Sequence, residues 1–114
     1  MINVKDIYDK ANSITGVSQK EFVTFVNEAV LQLVGRYGGK YIYECGDGVE
    51  IKTVDDSIPV YSEWKIALIN YVVYLKNGDA LRKAEYDSSL DYIYRTIWKR
   101  RMGNRTKYRA NSWN

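Results

Sequence analysis

Apolar residues recur at helical spacing over most of this chain and change to strict alternation in one stretch near its middle. Val4, Ile7, Tyr8, Ala11 and Ile14 share one helical face, with Asn3 placed to cap it, Asp6 in the first turn and Gly16 to stop it. The second helix has a stronger start signal. Ser18 is followed three residues later by Glu21, the spacing of a reciprocal capping box, and Val17 stands where it staples against Phe22. Phe22, Phe25, Val26, Ala29, Val30 and Leu33 then fall on one face, while Val23, Leu31 and Val34 add a second apolar strip. A helix apolar on two sides predicts a central position, with its end between Gly35 and Gly39.

Between residues 40 and 54 the period changes to two. Tyr41, Tyr43 and Cys45, and again Val49, Ile51 and Thr53, alternate with polar positions around Gly46-Asp47-Gly48, which predicts a hairpin over 40–54. A two-residue Asp-Gly loop pairs Tyr43 with Lys52. A three-residue loop with Gly48 left-handed pairs Tyr43 with Ile51 and Cys45 with Val49. The second register keeps the apolar side chains on one face and is preferred, although it sets Glu44 opposite Glu50. A lone hairpin is marginal in water, so this one has to lean on the helices or on a neighbouring subunit.

After a loop that begins at Asp55, Pro59 suits the first turn of a third helix, whose stripe is Tyr61, Trp64, Leu68, Tyr71, Val72 and Leu75. Asn77-Gly78 ends that helix and Asp79 caps a fourth. A connection this short makes the two antiparallel neighbours. Helix four runs from about Ala80 to Met102 on a stripe of Tyr86, Leu90, Ile93 and Ile97, with Gly103 placed to terminate it. The predicted fold is mainly α: a small bundle of about four helices with a peripheral β-hairpin over residues 1–103, and an extended C-terminal arm over 104–114.

At 114 residues the chain is one domain's worth, with enough apolar content for a modest core. No stretch reads as a secretory leader, a membrane span or a lipidation signal, which predicts a soluble protein made in the cytosol with no membrane partner. The single Cys45 excludes an intrachain disulfide, and its neighbours Tyr43 and Val49 predict a buried small side chain. The chain has no histidine, so Ser-His and Cys-His nucleophile pairs, imidazole acid–base chemistry and His-based zinc sites are unavailable. Gly38-Gly39-Lys40 lacks the leading Gly and the trailing Ser or Thr of a phosphate loop. Asp55-Asp56, just before Ser57 and Pro59, reads as a solvated turn. The expectation is a protein that is not an enzyme, with no catalytic residue, metal or cofactor.

Charge is distributed unevenly. Arg95, Lys99, Arg100, Arg101, Arg105, Lys107 and Arg109 place seven of the seventeen bases in residues 92–114, which hold none of the fourteen acids. The preceding 91 residues are therefore net negative. Up to Arg101 the bases have a helical explanation: Asp87, Asp91, Arg95 and Lys99 stand at i, i+4 spacing with acids N-terminal to bases. Arg105, Lys107 and Arg109 lie past the predicted stop, beside Tyr108 and Trp113, and Trp, Tyr and Arg are the residues that anchor interfaces. These five form a predicted docking arm. Arg95, Lys99, Arg100 and Arg101 are candidates to face DNA or a protein partner.

The arrangement resembles a family. The opening Val4-Lys5-Asp6-Ile7, a helix carrying Phe25-Val26-Asn27-Glu28-Ala29, and the series Ile58-Pro59-Val60-Tyr61, Ala67-Leu68-Ile69-Asn70-Tyr71-Val72, Asn77-Gly78-Asp79 and Ala84-Glu85-Tyr86 are similar to the head-to-tail connector proteins of tailed bacteriophages, also called adaptor or head-completion proteins. The resemblance implies a virion protein of the neck, made in the host cytoplasm and assembled as a ring, commonly of twelve copies, beneath the portal protein. Such a ring extends the channel through which double-stranded DNA passes without sequence recognition, and it offers a platform to the next neck or tail-completion protein. The resemblance also assigns residues 103–114 to portal docking. The competing expectation is a small nucleic-acid-binding protein that uses the basic helix end and tail, with phosphates held by the bases and nucleobases stacked on the aromatics.

Overall fold

The computed structural model describes residues 1–46, 48 and 50–101 with their side chains, and the backbone of 102–112. In chain order it has strand β1 (Ile2–Asn3), helices α1 (Val4–Thr15), α2 (Gln19–Tyr37) and α3 (Gly39–Ile42), strand β2 (Ser57–Ile58), a 3-10 turn at Ser62–Trp64, and helices α4 (Lys65–Asn77) and α5 (Ala80–Ser112). The fold is mainly helical with one small antiparallel pair of strands.

The starts of α1 and α2 are those the sequence encodes. The Asn3 side chain accepts from the Lys5 N–H, and Ser18 and Glu21 close a complete capping box at the start of α2. Gly16 and Gly78 end α1 and α4 in left-handed conformation, and their N–H groups bond back to Asn12 and Tyr74. The centre of the bundle is α4 and not α2. Ala67 through Val73 are seven consecutive buried residues, because α1, α2 and α5 all pack on this helix. Asp6 near Lys65 and Thr15 bonded to Asn77 set α1 parallel to α4, whereas the Glu21–Lys76 ion pair sets α2 antiparallel to it. The buried Asn70 side chain accepts from Arg82 of α5, so the polar group inside the bundle is satisfied. Phe25 is half-buried and Ile14 exposed, so each sits at the edge of its helix's stripe.

The strand pair is not where the alternation places it. Ile2 lies opposite Ile58 and Asn3 opposite Ser57, joining the first residues to the segment before the 3-10 turn. Residues 39–42 form a helical turn in which Ile42 is the fully buried side chain, and Tyr41 and Tyr43 flank it. Tyr43 then bridges Val60, the Glu44 N–H bonds to the Pro59 carbonyl, and the Tyr61 N–H bonds to the Ile42 carbonyl. Residues 42–44 thus pair with 59–61, across the chain, and not with 50–52. The third helix correspondingly does not start at Pro59. Ile58 and Val60 are β-branched and both buried, and the residue before a proline disfavours helix, so 57–60 is extended. Cys45 is exposed on this loop; Asp47 and Val49, on which the rest of the predicted hairpin depends, lie outside the described residues.

Gly103 does not terminate the last helix, which runs 33 residues to Ser112. A glycine stop needs something beyond it to hold the left-handed turn. Val17 is buried after Gly16, and Asp79 caps α5 after Gly78, whereas Gly103 is followed by Asn104-Arg105-Thr106-Lys107. A glycine inside a helix costs about 1 kcal/mol relative to alanine, which good helix formers such as Arg105, Lys107, Arg109 and Ala110 offset.

Candidate docking surface on helix α5

The inner stripe of α5 is Tyr86, Leu90, Ile93 and Ile97, all buried against the bundle. Tyr86 packs on Tyr71 of α4 with ring centroids 4.8 Å apart, and burial pushes its hydroxyl up to about 12, with Tyr71 adding to the shift. One flank of the helix is aromatic. Tyr94 stacks on Tyr37 at 4.7 Å and meets Tyr41 at 5.1 Å, while Tyr37 continues the series to Trp64 at 5.4 Å. Trp64 is fully buried and its indole N–H donates to the Tyr41 carbonyl at 2.9 Å. These contacts tie the end of α2 and the helical turn α3 to the middle of α5.

One turn further on, two of the four candidate bases are already engaged within the chain. Arg100 forms an ion pair with Glu63, Arg101 donates to the Tyr61 hydroxyl, and both guanidinium groups lie over the Tyr61 ring, at 5.5 and 5.9 Å from its centroid. They clamp α5 to the 3-10 turn at the start of α4. Glu63 compensates the charge of Arg100, whereas Arg101, bonded to a neutral hydroxyl, keeps its own.

Arg95 and Lys99 behave differently. Both are exposed, and neither forms an ion pair among the described residues. The predicted i, i+4 row resolves into another pattern, in which Asp87 pairs with Lys83 at 2.9 Å and leaves Asp91 and Arg95 apart. The same outward face carries Tyr92, 76% exposed, and beside it Trp98, 41% exposed. Sequence reasoning did not single out these two aromatics. The signal was available, since residues 92, 95 and 99 share a helical face roughly opposite 90, 93 and 97. Arg105, Lys107, Tyr108 and Arg109 lie on the stretch of α5 described by its backbone alone, and Trp113 lies outside the described residues. The eleven residues from Met102 to Ser112 correspond to about 16 Å of helix beyond the Arg101 clamp.

A second surface lies on α2. The Asn27 side chain donates to the Ile51 carbonyl and accepts from the Ile51 N–H, both at 3.0 Å, and so holds residues 50–52 alongside the helix. Val23, Leu31 and Ile51 line the open groove between them, with Leu31 67% exposed, and Glu28 and Glu50 stand on its rim. The adjoining turn is fixed by the Asp56 carboxylate, which accepts from the N–H groups of Lys52 and Thr53; these two bonds hold its pKa below the usual carboxylate range. Among the described residues no three His, Cys, Asp or Glu side chains converge to hold a metal ion, and no helix is long and apolar enough to cross a membrane. No family model matches the chain, and neither does a curated protein or a solved structure.

Proposed function

We propose that this chain is a structural adaptor of the head-to-tail connector kind, a virion neck component that joins the portal protein to the next neck or tail-completion protein. The observation that carries this reading is the length of α5, 33 residues laid against the 13 of α4. Its first half completes the bundle. The remainder carries Arg105, Lys107, Tyr108 and Arg109 on helical backbone past the last clamp among the described residues, and a helix presents such groups to a partner with less entropy to lose than a loose tail. The ring of copies and the DNA channel rest on the resemblance in sequence. Arg95 and Lys99, without ion pairs among the described residues, are the bases best placed to meet DNA or a neighbouring subunit.

The test is attachment of the full chain to the purified portal ring of the same virion, measured alongside binding to duplex DNA at two salt concentrations. The adaptor reading expects portal attachment with modest salt dependence and weak, non-specific DNA binding. The nucleic-acid reading expects a log-log salt slope of about −5, since Glu63 compensates Arg100 and six of the seven bases remain for phosphates. Tight, steeply salt-dependent DNA binding without portal attachment decides for the second reading.

A further inference from the structure

We propose that the outward face of α5 docks into the α2 groove of a second copy of this chain, so that copies join head to tail. The inference deepens the ring reading above and rests on it for its setting. Its physical basis is a match between two unsatisfied surfaces. The α5 face offers two bases without ion pairs among the described residues, Arg95 and Lys99, and one exposed acid, Asp91, a turn before Arg95, so that it is net positive beside the exposed aromatics Tyr92 and Trp98. The α2 groove offers two acids likewise without ion pairs among the described residues, Glu28 and Glu50, beside the exposed Leu31 and an apolar lining. Lys52 also lines the groove and opposes its acids, which leaves the groove net negative and the α5 face net positive.

Geometry favours contact between molecules over contact within one. Tyr92, Arg95 and Lys99 lie opposite the buried stripe of α5, and Leu31 and Glu28 of α2 are exposed, so these side chains are not covered within one copy. The surfaces are different, which makes the contact heterologous; repeated, it closes into a ring or grows as a filament. The groove is preformed, because the two Asn27 bonds fix the 50–52 segment, and little has to be ordered on docking. Aromatic and Arg anchors entering an apolar groove, with acids at the rim opposite bases, is the composition of an interface centre. Nucleic acid would engage the α5 face and leave the acidic groove without a role.

Sedimentation equilibrium of the full chain from about 10 μM to about 1 mM tests this, a range that covers weak self-contact. The wild-type chain is expected to gain mass with concentration. Arg95→Glu with Lys99→Glu, and separately Glu28→Lys with Glu50→Lys, are each expected to weaken self-association by roughly a hundredfold, because like charges then face each other. An equimolar mixture of the two variants is expected to associate again, since the new acids of one meet the new bases of the other. Circular dichroism confirms that both remain folded. A wild-type chain that stays monomeric at about 1 mM, reversals without effect, or a mixture that fails to recover overturns the proposal, as does duplex DNA binding through Arg95 and Lys99 without self-association. Portal attachment separates the two readings: a chain that attaches to the portal but never self-associates sinks this inference alone, and a chain that self-associates without attaching sinks the adaptor reading alone.

Discussion

Helices α4 and α5 are consecutive, antiparallel and packed on each other, yet they are built to opposite specifications. In α4 seven residues in a row are buried, and the fold alone explains every one of them. In α5 the fold explains Tyr86, Leu90, Ile93 and Ile97 and the clamps at Tyr94, Arg100 and Arg101, and covers part of Trp98; Tyr92, Arg95 and Lys99 are exposed outside that pattern. Exposed aromatics beside bases that make no ion pair among the described residues have the composition of an interface anchor. The difference separates residues that hold the molecule together from residues that the proposed docking would use.

The sharpest way to break this comparison is to truncate the shared core. Trp64→Ala is expected to cost about 3–5 kcal/mol and Leu90→Ala about 2–5 kcal/mol, read from urea denaturation, since both side chains are fully buried. A loss below about 1 kcal/mol at Leu90 would mean that α5 is not part of the core. Next in size is Asn27→Ala, which removes both bonds to the Ile51 backbone and should cost about 1–3 kcal/mol. Hydrogen exchange at the Ile51 amide should rise in that variant; unchanged exchange would show that the groove is held by something else.

Two pH effects are smaller and locate the same helices. The Tyr86 proton is lost near 10 in the unfolded chain and near 12 in the folded one, so stability falls as pH rises through that window. Tyr86→Phe should flatten this part of the alkaline limb. Glu21 is held below its ordinary 4.5, first by the Lys76 ammonium of α4 and then by Ser18. Its contribution is present above the ordinary value and lost as pH falls through the folded one, so Glu21→Gln should flatten the acid limb. The smallest effects belong to the outward face. Tyr92→Ala, Arg95→Ala and Lys99→Ala should each change the unfolding free energy by less than about 0.5 kcal/mol.

The helices were legible in the sequence because periodicity and caps act locally. Ser18 with Glu21, Gly16 before Val17 and Gly78 before Asp79 each carry their partner within a few residues, and the structure keeps all of them. Errors arose where the deciding partner is remote. Tyr41, Tyr43 and Cys45 alternate as a strand would, but Val60 and Pro59 pair with that segment, and period two cannot reveal which stretch will come alongside. Gly103 looked like Gly16 and Gly78 because the residue is the same, but neither a buried Val nor a capping Asp stands after it. At the docking surface, the bases Arg95 and Lys99 were legible as cations on a helix. Arg100 and Arg101 lay in the same run, and nothing in it foretold that Tyr61 and Glu63 would occupy them, since the partner hydroxyl is 40 residues away.

The central claim is that the far part of α5 serves another molecule and not the fold. It is tested most directly by removing residues 104–114 and measuring, on the same preparation, the urea midpoint and attachment to the portal ring. The described side-chain contacts of α5 with the bundle lie at or before Arg101, so the midpoint should not move while attachment is lost. Attachment that survives the deletion with an unchanged midpoint would contradict the account.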